Sequence, residues 1–350
     1  MNQSSRQLSA FLRLSRLKFL FETMVIVALG VTLAVTDGYS FDLHWYLATM
    51  LFAWCIHLMT HYCNEYFDLD ADRANEAPTA WTGGSRVLVS GQLSPIVSLS
   101  AAFVLLFVGV CFIAVLPNLP ARLLGIASMA LAWFYTAPPL RLNYRGLGEF
   151  AAAAVSYGLG PLLAYRLQGG GISPLSAYLI GMVFAVQFFR LTTMNLSDSA
   201  GDRAAGKRTL AVILGERRLV ELYIGGETSV YSAVVLLTVL HVVPVLVGAL
   251  LLLTAAVPIW VGRSLLTGAM DDGGRRARVT FWSSAHLPIC ASAIILGLLV
   301  NRSLNGHAVS TAWLGICSAT LLAFGFLLVQ SSGRDNRRPR PVEAAAPSGQ

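Results

Sequence analysis

Two short polar stretches carry the residues able to do chemistry. In HYCNEYFDLDAD, Asn64, Asp68 and Asp72 recur at i, i+4 and i+8, and in MNLSDSAGDRAAGKRTLAVILG, Asn195, Asp198 and Asp202 recur at i, i+3 and i+7. On a helix either spacing puts the three side chains on one stripe. Carboxylates stacked this way repel, and next to hydrocarbon they are costly unless something compensates them. An oxygen-only set selects a hard cation, and Mg2+ takes one or two carboxylates while keeping waters or substrate phosphates. Two such combs facing each other fit about two Mg2+ ions with a diphosphate between them. One DxxxD at a membrane surface reads equally well as a solvated helix end. Two copies, each with an Asn one turn ahead and basic residues behind, argue for a shared site.

The neighbouring side chains fit an anionic ligand. Arg73, Arg86, Arg141, Arg145, Lys207 and Arg208 lie in loops expected on the same side of the membrane, and Tyr144 sits between two of those arginines. They are suited to gripping phosphate oxygens. His57 and His61 precede Asn64 on its stripe but lie deeper in the apolar run, where imidazole can orient an acceptor hydroxyl, act as a base or simply bond to a neighbouring helix. Gln187 and Arg190 hold comparable positions ahead of Asp198, and an intramembrane Arg calls for a cavity or an acidic partner.

The elements that must position these residues are membrane helices. Of 350 residues 55% are hydrophobic and 12% charged, with mean hydropathy +0.64, which is the composition of a polytopic membrane protein. Stretches able to cross the bilayer, roughly 20 residues each, fall near 17–38, 43–66, 95–116, 120–137, 147–166, 174–197, 221–241, 243–266, 281–300 and 310–330. Pro244 leaves the division between 221–241 and 243–266 open, since it either ends a span or kinks one. With ten spans, the loops on the side of both termini hold nearly all the Lys and Arg. The opposite side keeps only Arg122, Arg166 and Arg302, so the termini and both acidic motifs are expected in the cytoplasm, at a bacterial-type plasma membrane. The net charge of +7 follows from these loops and reads as topology and anionic-lipid contact, not nucleic-acid binding. Five cysteines without CxxC spacing point to neither a disulfide framework nor a zinc site. The fold class expected is all-α: one transmembrane bundle over 1–330, then a disordered cytoplasmic tail over 331–350.

On these residues the sequence resembles the UbiA superfamily of intramembrane prenyltransferases. NEYFDLDAD is similar to that family's NDxxDxxxD motif, with Glu65 in place of the usual Asp, and DSAGD to its DxxxD motif. The resemblance covers residues from about 13 to 300 and leaves the tenth span outside the family's usual nine-helix pattern. It implies a helical bundle around a central lipid-open cavity, Mg2+ on Asn64, Asp68, Asp72, Asn195, Asp198 and Asp202, and transfer of a polyprenyl chain from its diphosphate to an acceptor. TGGSRVLVSGQLS and YTAPPLRLNYRGLGE resemble the branch that prenylates 1,4-dihydroxy-2-naphthoate in menaquinone synthesis, which makes Arg141, Tyr144 and Arg145 a diphosphate clamp. The two histidines depart from the amide residues more usual in that branch. A terpene cyclase on the same scaffold needs no acceptor, and a cation transporter or channel would use the acids but leave the basic loops without a purpose.

Overall fold

The computed structural model describes residues 3–76 and 78–334. The helices are α1 (Gln3–Leu14), α2 (Leu20–Thr36), α3 (Leu43–Phe67), α4 (Leu69–Ala74), α5 (Pro95–Val115), α6 (Leu119–Phe134), α7 (Gly148–Ala153), α8 (Gly160–Gln168), α9 (Pro174–Ala204), α10 (Leu210–Val239), α11 (Val245–Thr254), α12 (Ala256–Leu266), α13 (Gly273–Leu304) and α14 (Thr311–Arg334). A π-helical segment, Ala154–Leu159, joins α7 to α8. No strand occurs among the described residues.

Every stretch expected to span is helical, but fewer meet the requirement of length and apolarity. Among the described residues seven helical stretches are long and apolar enough to cross a membrane: Gln3–Thr36, Pro95–Val115, Pro174–Ala204, Leu210–Val239, Val245–Leu266, Gly273–Leu304 and Thr311–Ser332. These seven do not confirm the nine to ten spans expected. α6 is short at 16 residues, and α3 carries His57, Thr60, His61 and Asn64 within its length. Polar residues facing an internal cavity lower a helix's hydropathy without exposing it to lipid. At 240–244 the chain turns sharply, with His241 at φ 56°, so Pro244 separates two helices and does not kink one. α14 runs through Arg334; the rest of the expected tail, 335–350, lies outside the described residues.

α2 sits at the centre. Its residues Val25–Val35 are all buried, packed against α8, α13 and α3, as expected of a helix apolar all round. α13 occupies the other central position, against α2, α9, α11 and α12. α5 and α14 lie outside, with most of their surface facing where lipid would be. Two features bring the acidic motifs together. α3 ends at Asp68 and α4 restarts at Leu69, yet Asp68 N–H still donates to Asn64 O and Asp72 N–H to Asp68 O, both at 2.9 Å, so the 64–68–72 stripe survives the break. Gly201, between the two aspartates of the second motif, lets α4 lie directly on α9: a Cβ there would be 3.0 Å from Asn75 Cα, so a larger residue would push the two apart.

Candidate active site

A cavity of about 330 Å³ opens between α2, α3, α8 and α9. Its mouth holds Asn64, Asp68, Asp72, Asn195, Asp198, Asp202 and Lys207, and its walls pass inward through His57, His61, Gln187 and Arg190 to apolar Phe52, Ile56, Leu131 and Leu163. A charged mouth and a hydrocarbon-lined interior suit an amphiphile whose head is anionic.

Lys207 ties the two motifs together. Its Nζ is 2.9 Å from Asp68 Oδ2 and 3.3 Å from Asp202 Oδ1, so one ammonium touches a carboxylate from each stripe. Burial works to lower the Lys207 pKa, but the two carboxylates overcome it and raise it well above its ordinary value. Asp68 also accepts from Asn143 Nδ2 at 3.2 Å. Asp198 is held by the loop that follows the first motif, accepting from Asn75 Nδ2 at 2.9 Å and Gly83 N–H at 3.2 Å. Asp72 lies against Gly84, whose φ of +75° and lack of Cβ leave room for the carboxylate. Burial, opposed in part by Arg16, pushes the Asp72 carboxyl up to about 7.

The donor set fits a hard cation. The Asn64 Oδ1 oxygen is buried on the cavity wall without a hydrogen-bond partner among the described residues, and Lys207 already supplies positive charge between Asp68 and Asp202. Among the described residues no three His, Cys, Asp or Glu side chains converge to ligate one ion. The protein by itself thus offers one or two oxygens per ion, the incomplete shell that Mg2+ fills with water and substrate phosphate.

The basic residues divide sharply. Of the expected diphosphate ligands only Lys207 lines the cavity. Arg73 is exposed and pairs with Asp70 at 3.2 Å. Arg86, at φ 65°, donates to the backbone oxygens of Asp72 and Asn75 and so braces α4 from behind. Arg141 stacks on the Tyr144 ring, 3.7 Å from its centroid, and Arg145 donates to Pro139 O. Tyr144 donates to Phe67 O at 3.4 Å, with its hydroxyl pushed up to about 12 by burial and by Asp68. These five stand around the mouth as supports of the loops, not on the cavity wall.

The deeper candidates do face the cavity. Thr23 Oγ1 bonds to His57 Nδ1, Ser15 O lies 3.2 Å from His61 Nδ1, and the two rings meet edge to face at 4.5 Å. Gln187 Nε2 donates to Ser156 Oγ in the π-helical segment at 3.0 Å, where the extra residue per turn turns Ser156 inward. Arg190 finds the acidic partner its depth demands, Glu22, at 3.1 Å, and donates to Ser284 O at 2.6 Å.

Three site residues were not expected from sequence. Glu149 is buried and accepts from Asn195 Nδ2 at 2.9 Å and from Leu210 N–H at 2.8 Å, fixing the Asn195 side chain and the start of α10 with one oxygen. Asn143 supports Asp68. Arg16, in the N-terminal segment ahead of the first expected span, lines the cavity while paired with Glu65. Glu65 also accepts from Ser85 N–H and Oγ, so it anchors a loop and does not face the ligand. A lone Glu in GLGE and an Arg among other basic residues give no spacing signal that marks such roles.

Residues 23–285 match the UbiA prenyltransferase family. A digeranylgeranylglyceryl phosphate synthase of Halobacterium salinarum is 33% identical over 156 residues, 44% of this chain and 51% of that one, so the chain spans about half the length of that relative. A 1,4-dihydroxy-2-naphthoate octaprenyltransferase of Mycobacterium tuberculosis is 32% identical over 234 residues, 63% of this chain and 76% of that one. The structure of a UbiA homologue from Archaeoglobus fulgidus bound to GPP and Mg2+ superposes with a TM-score of 0.55 at 15% identity, covering 93% of this chain and 98% of that chain. With both acidic motifs at the mouth of one cavity and three quarters of its length within the family match, the chain belongs to the UbiA prenyltransferase family.

Proposed function

We propose that this protein is a Mg2+-dependent intramembrane prenyltransferase that moves a polyprenyl chain from its diphosphate to an aromatic acceptor of the 1,4-dihydroxy-2-naphthoate kind. The observation that carries this reading is the Lys207 ammonium shared by Asp68 and Asp202 at the mouth of a cavity with an apolar interior. Similarity to naphthoate octaprenyltransferases and to a homologue bound to GPP and Mg2+ supports the substrate classes. The termini and the cavity mouth face the cytoplasm on this reading, in keeping with the Lys and Arg bias.

Asn64, Asp68 and Asp72 from one side and Asn195, Asp198 and Asp202 from the other would hold the metal with the diphosphate. Bound Mg2+ supplies charge neutralisation for the departing diphosphate. Lys207 donates hydrogen bonds to the same oxygens, and Arg16 adds positive charge at the mouth. The isoprenoid chain lies along Phe52, Ile56 and Leu163, where water is excluded from the allylic carbon as its bond to oxygen breaks. His57, His61 and Gln187 line the level between head and tail and orient the acceptor ring; its electron-rich carbon attacks that allylic carbon as the C–O bond to diphosphate breaks, and the proton displaced from the ring carbon passes to the released diphosphate.

A second reading takes a prenylated glyceryl phosphate as acceptor and is favoured by the similarity to the Halobacterium synthase. Purified protein with Mg2+, a panel of prenyl diphosphates and both acceptor types, followed by mass spectrometry, decides between them. The prenylated naphthoate is the expected product. A prenyl ether on the glyceryl acceptor would establish the second reading, and a hydrocarbon or terpene alcohol formed without acceptor would replace both with a cyclase. Metal flux in liposomes without diphosphate release would establish a transporter.

A further inference from the structure

A second cavity, of about 440 Å³, lies between α10 and α12 and shares no lining residue with the first. Most of its wall is apolar, including Ile224, Val235, Pro258 and Ile259. Val235 is 45% and Ile259 60% exposed, so in a membrane the cavity opens to the acyl chains. At its base is Glu227, 4% exposed, with both carboxyl oxygens lacking a hydrogen-bond partner among the described residues. Within the span expected over 221–241, which follows the exposed Arg217–Glu221 pair, Glu227 stands about 9 Å along α10 at 1.5 Å per residue, inside the hydrocarbon layer.

The Tyr231 hydroxyl on the same wall has already found partners. Tyr231 Oη lies 2.6 Å from Thr254 Oγ1 and 2.9 Å from His286 Nε2, and Thr254 Oγ1 donates to Leu251 O at 2.6 Å. His286 Nδ1 is 3.8 Å from Glu227 Oε1, beyond hydrogen-bond reach. An acyl chain entering from the bilayer would fill the volume but leave a buried carboxyl unsatisfied, which is costly. A molecule with a hydroxyl donor at the end of an apolar body satisfies both. Arg263 on the same wall disfavours an amine in that place.

We propose that this cavity is a binding site for a membrane-dissolved alcohol or phenol, held by a hydrogen bond from its hydroxyl to Glu227. The ligand enters laterally between α10 and α12, with its tail along Val235 and Ile259. The site is separate from the diphosphate cavity, and its occupancy does not depend on the transfer reaction.

The test uses the full-length protein in lipid nanodiscs and a photoactivatable 4-alkylphenol, with labelled peptides mapped by mass spectrometry. Labelling is expected within 224–235 and 255–266, to saturate, and to be displaced by 4-nonylphenol at a concentration at least about tenfold below that needed for 4-nonylanisole, which lacks the donor. Glu227→Leu and Ser232→Phe should each lower the phenol's apparent affinity at least about tenfold, the second by filling the cavity from an exposed position. Glu227→Gln, which keeps an acceptor oxygen, should retain most of it. Equal displacement by phenol and ether, or labelling indifferent to Glu227→Leu and Ser232→Phe in variants that melt like the wild type, would overturn the proposal and leave ordinary lipid in the groove. If Glu227→Leu fails to fold, Ser232→Phe and the phenol–ether pair still decide it. Because the readout is binding, it stands whether or not prenyl transfer is found.

Discussion

At the scale of single residues, the four aspartates at the mouth outnumber the basic Lys207 and Arg16 beside them. Lys207→Met leaves Asp68 and Asp202 facing each other without their shared ammonium. Removing one partner of a buried pair costs about 3–5 kcal/mol, so the metal-free variant should melt lower. Addition of Mg2+ with a diphosphate analogue should narrow that gap, and turnover should fall about 10²–10³-fold. Asp72 gives the site a pH dependence. Its carboxyl is pushed up to about 7 from 3.8 by burial; in the metal-free protein its contribution to stability is present below 3.8 and lost as pH rises through about 7. Metal uptake has the opposite sign, since it needs the carboxylate. Apparent Mg2+ affinity should fall as pH drops below about 7, and calorimetry in buffers of different ionisation enthalpy should show proton release on binding at pH 6 to 7. The acids and their amide neighbours are legible in the sequence because helical spacing repeats. Glu149, Asn143 and Arg16 are not, because each acts across elements distant in the chain and has no periodic partner.

At the scale of elements, the site depends on how α4, α9 and the loop after α4 are held. Glu149→Leu leaves the Asn195 amide and the Leu210 N–H without their acceptor, at about 1–3 kcal/mol for each buried group. The melting temperature should fall clearly, whereas Glu149→Gln retains an acceptor oxygen and should recover most of the loss. Gly84→Ala would place a Cβ onto the Asp72 carboxylate at a backbone angle of +75°. Metal-dependent binding of a diphosphate analogue should weaken as much as in Asp72→Asn, with little change in the far-ultraviolet circular dichroism. Helix positions are legible from apolar run length, and all ten expected stretches are helical. What run length does not reveal is the break at Asp68, because the hydrogen bonds from Asn64 to Asp72 keep helical spacing through it. Nor does it reveal the division of the arginines, since loop position fixes a membrane side but not whether a side chain faces the cavity or, like Arg86 and Arg145, a backbone carbonyl.

At the scale of the whole molecule, the bundle joins two helix ends more than a hundred residues apart in sequence over one amphiphilic cavity. The apolar spans fix which layer the protein occupies, and the small residue Gly201 fixes how closely the two polar ends approach. Spans with internal polar residues, such as α3, fall below a hydropathy requirement for the same reason that they are useful: their polar face lines the cavity. The most direct measurement is Mg2+-dependent binding of a non-hydrolysable prenyl thiolodiphosphate to the wild type, Asp68→Asn, Asp198→Asn and the double variant. If the two motifs hold one ligand together, each single variant should weaken binding at least about 100-fold and the double variant little further, since residues acting as a unit are not additive. Wild-type affinity in either single variant, or two losses that simply add, would show that the motifs act separately and contradict a jointly held diphosphate.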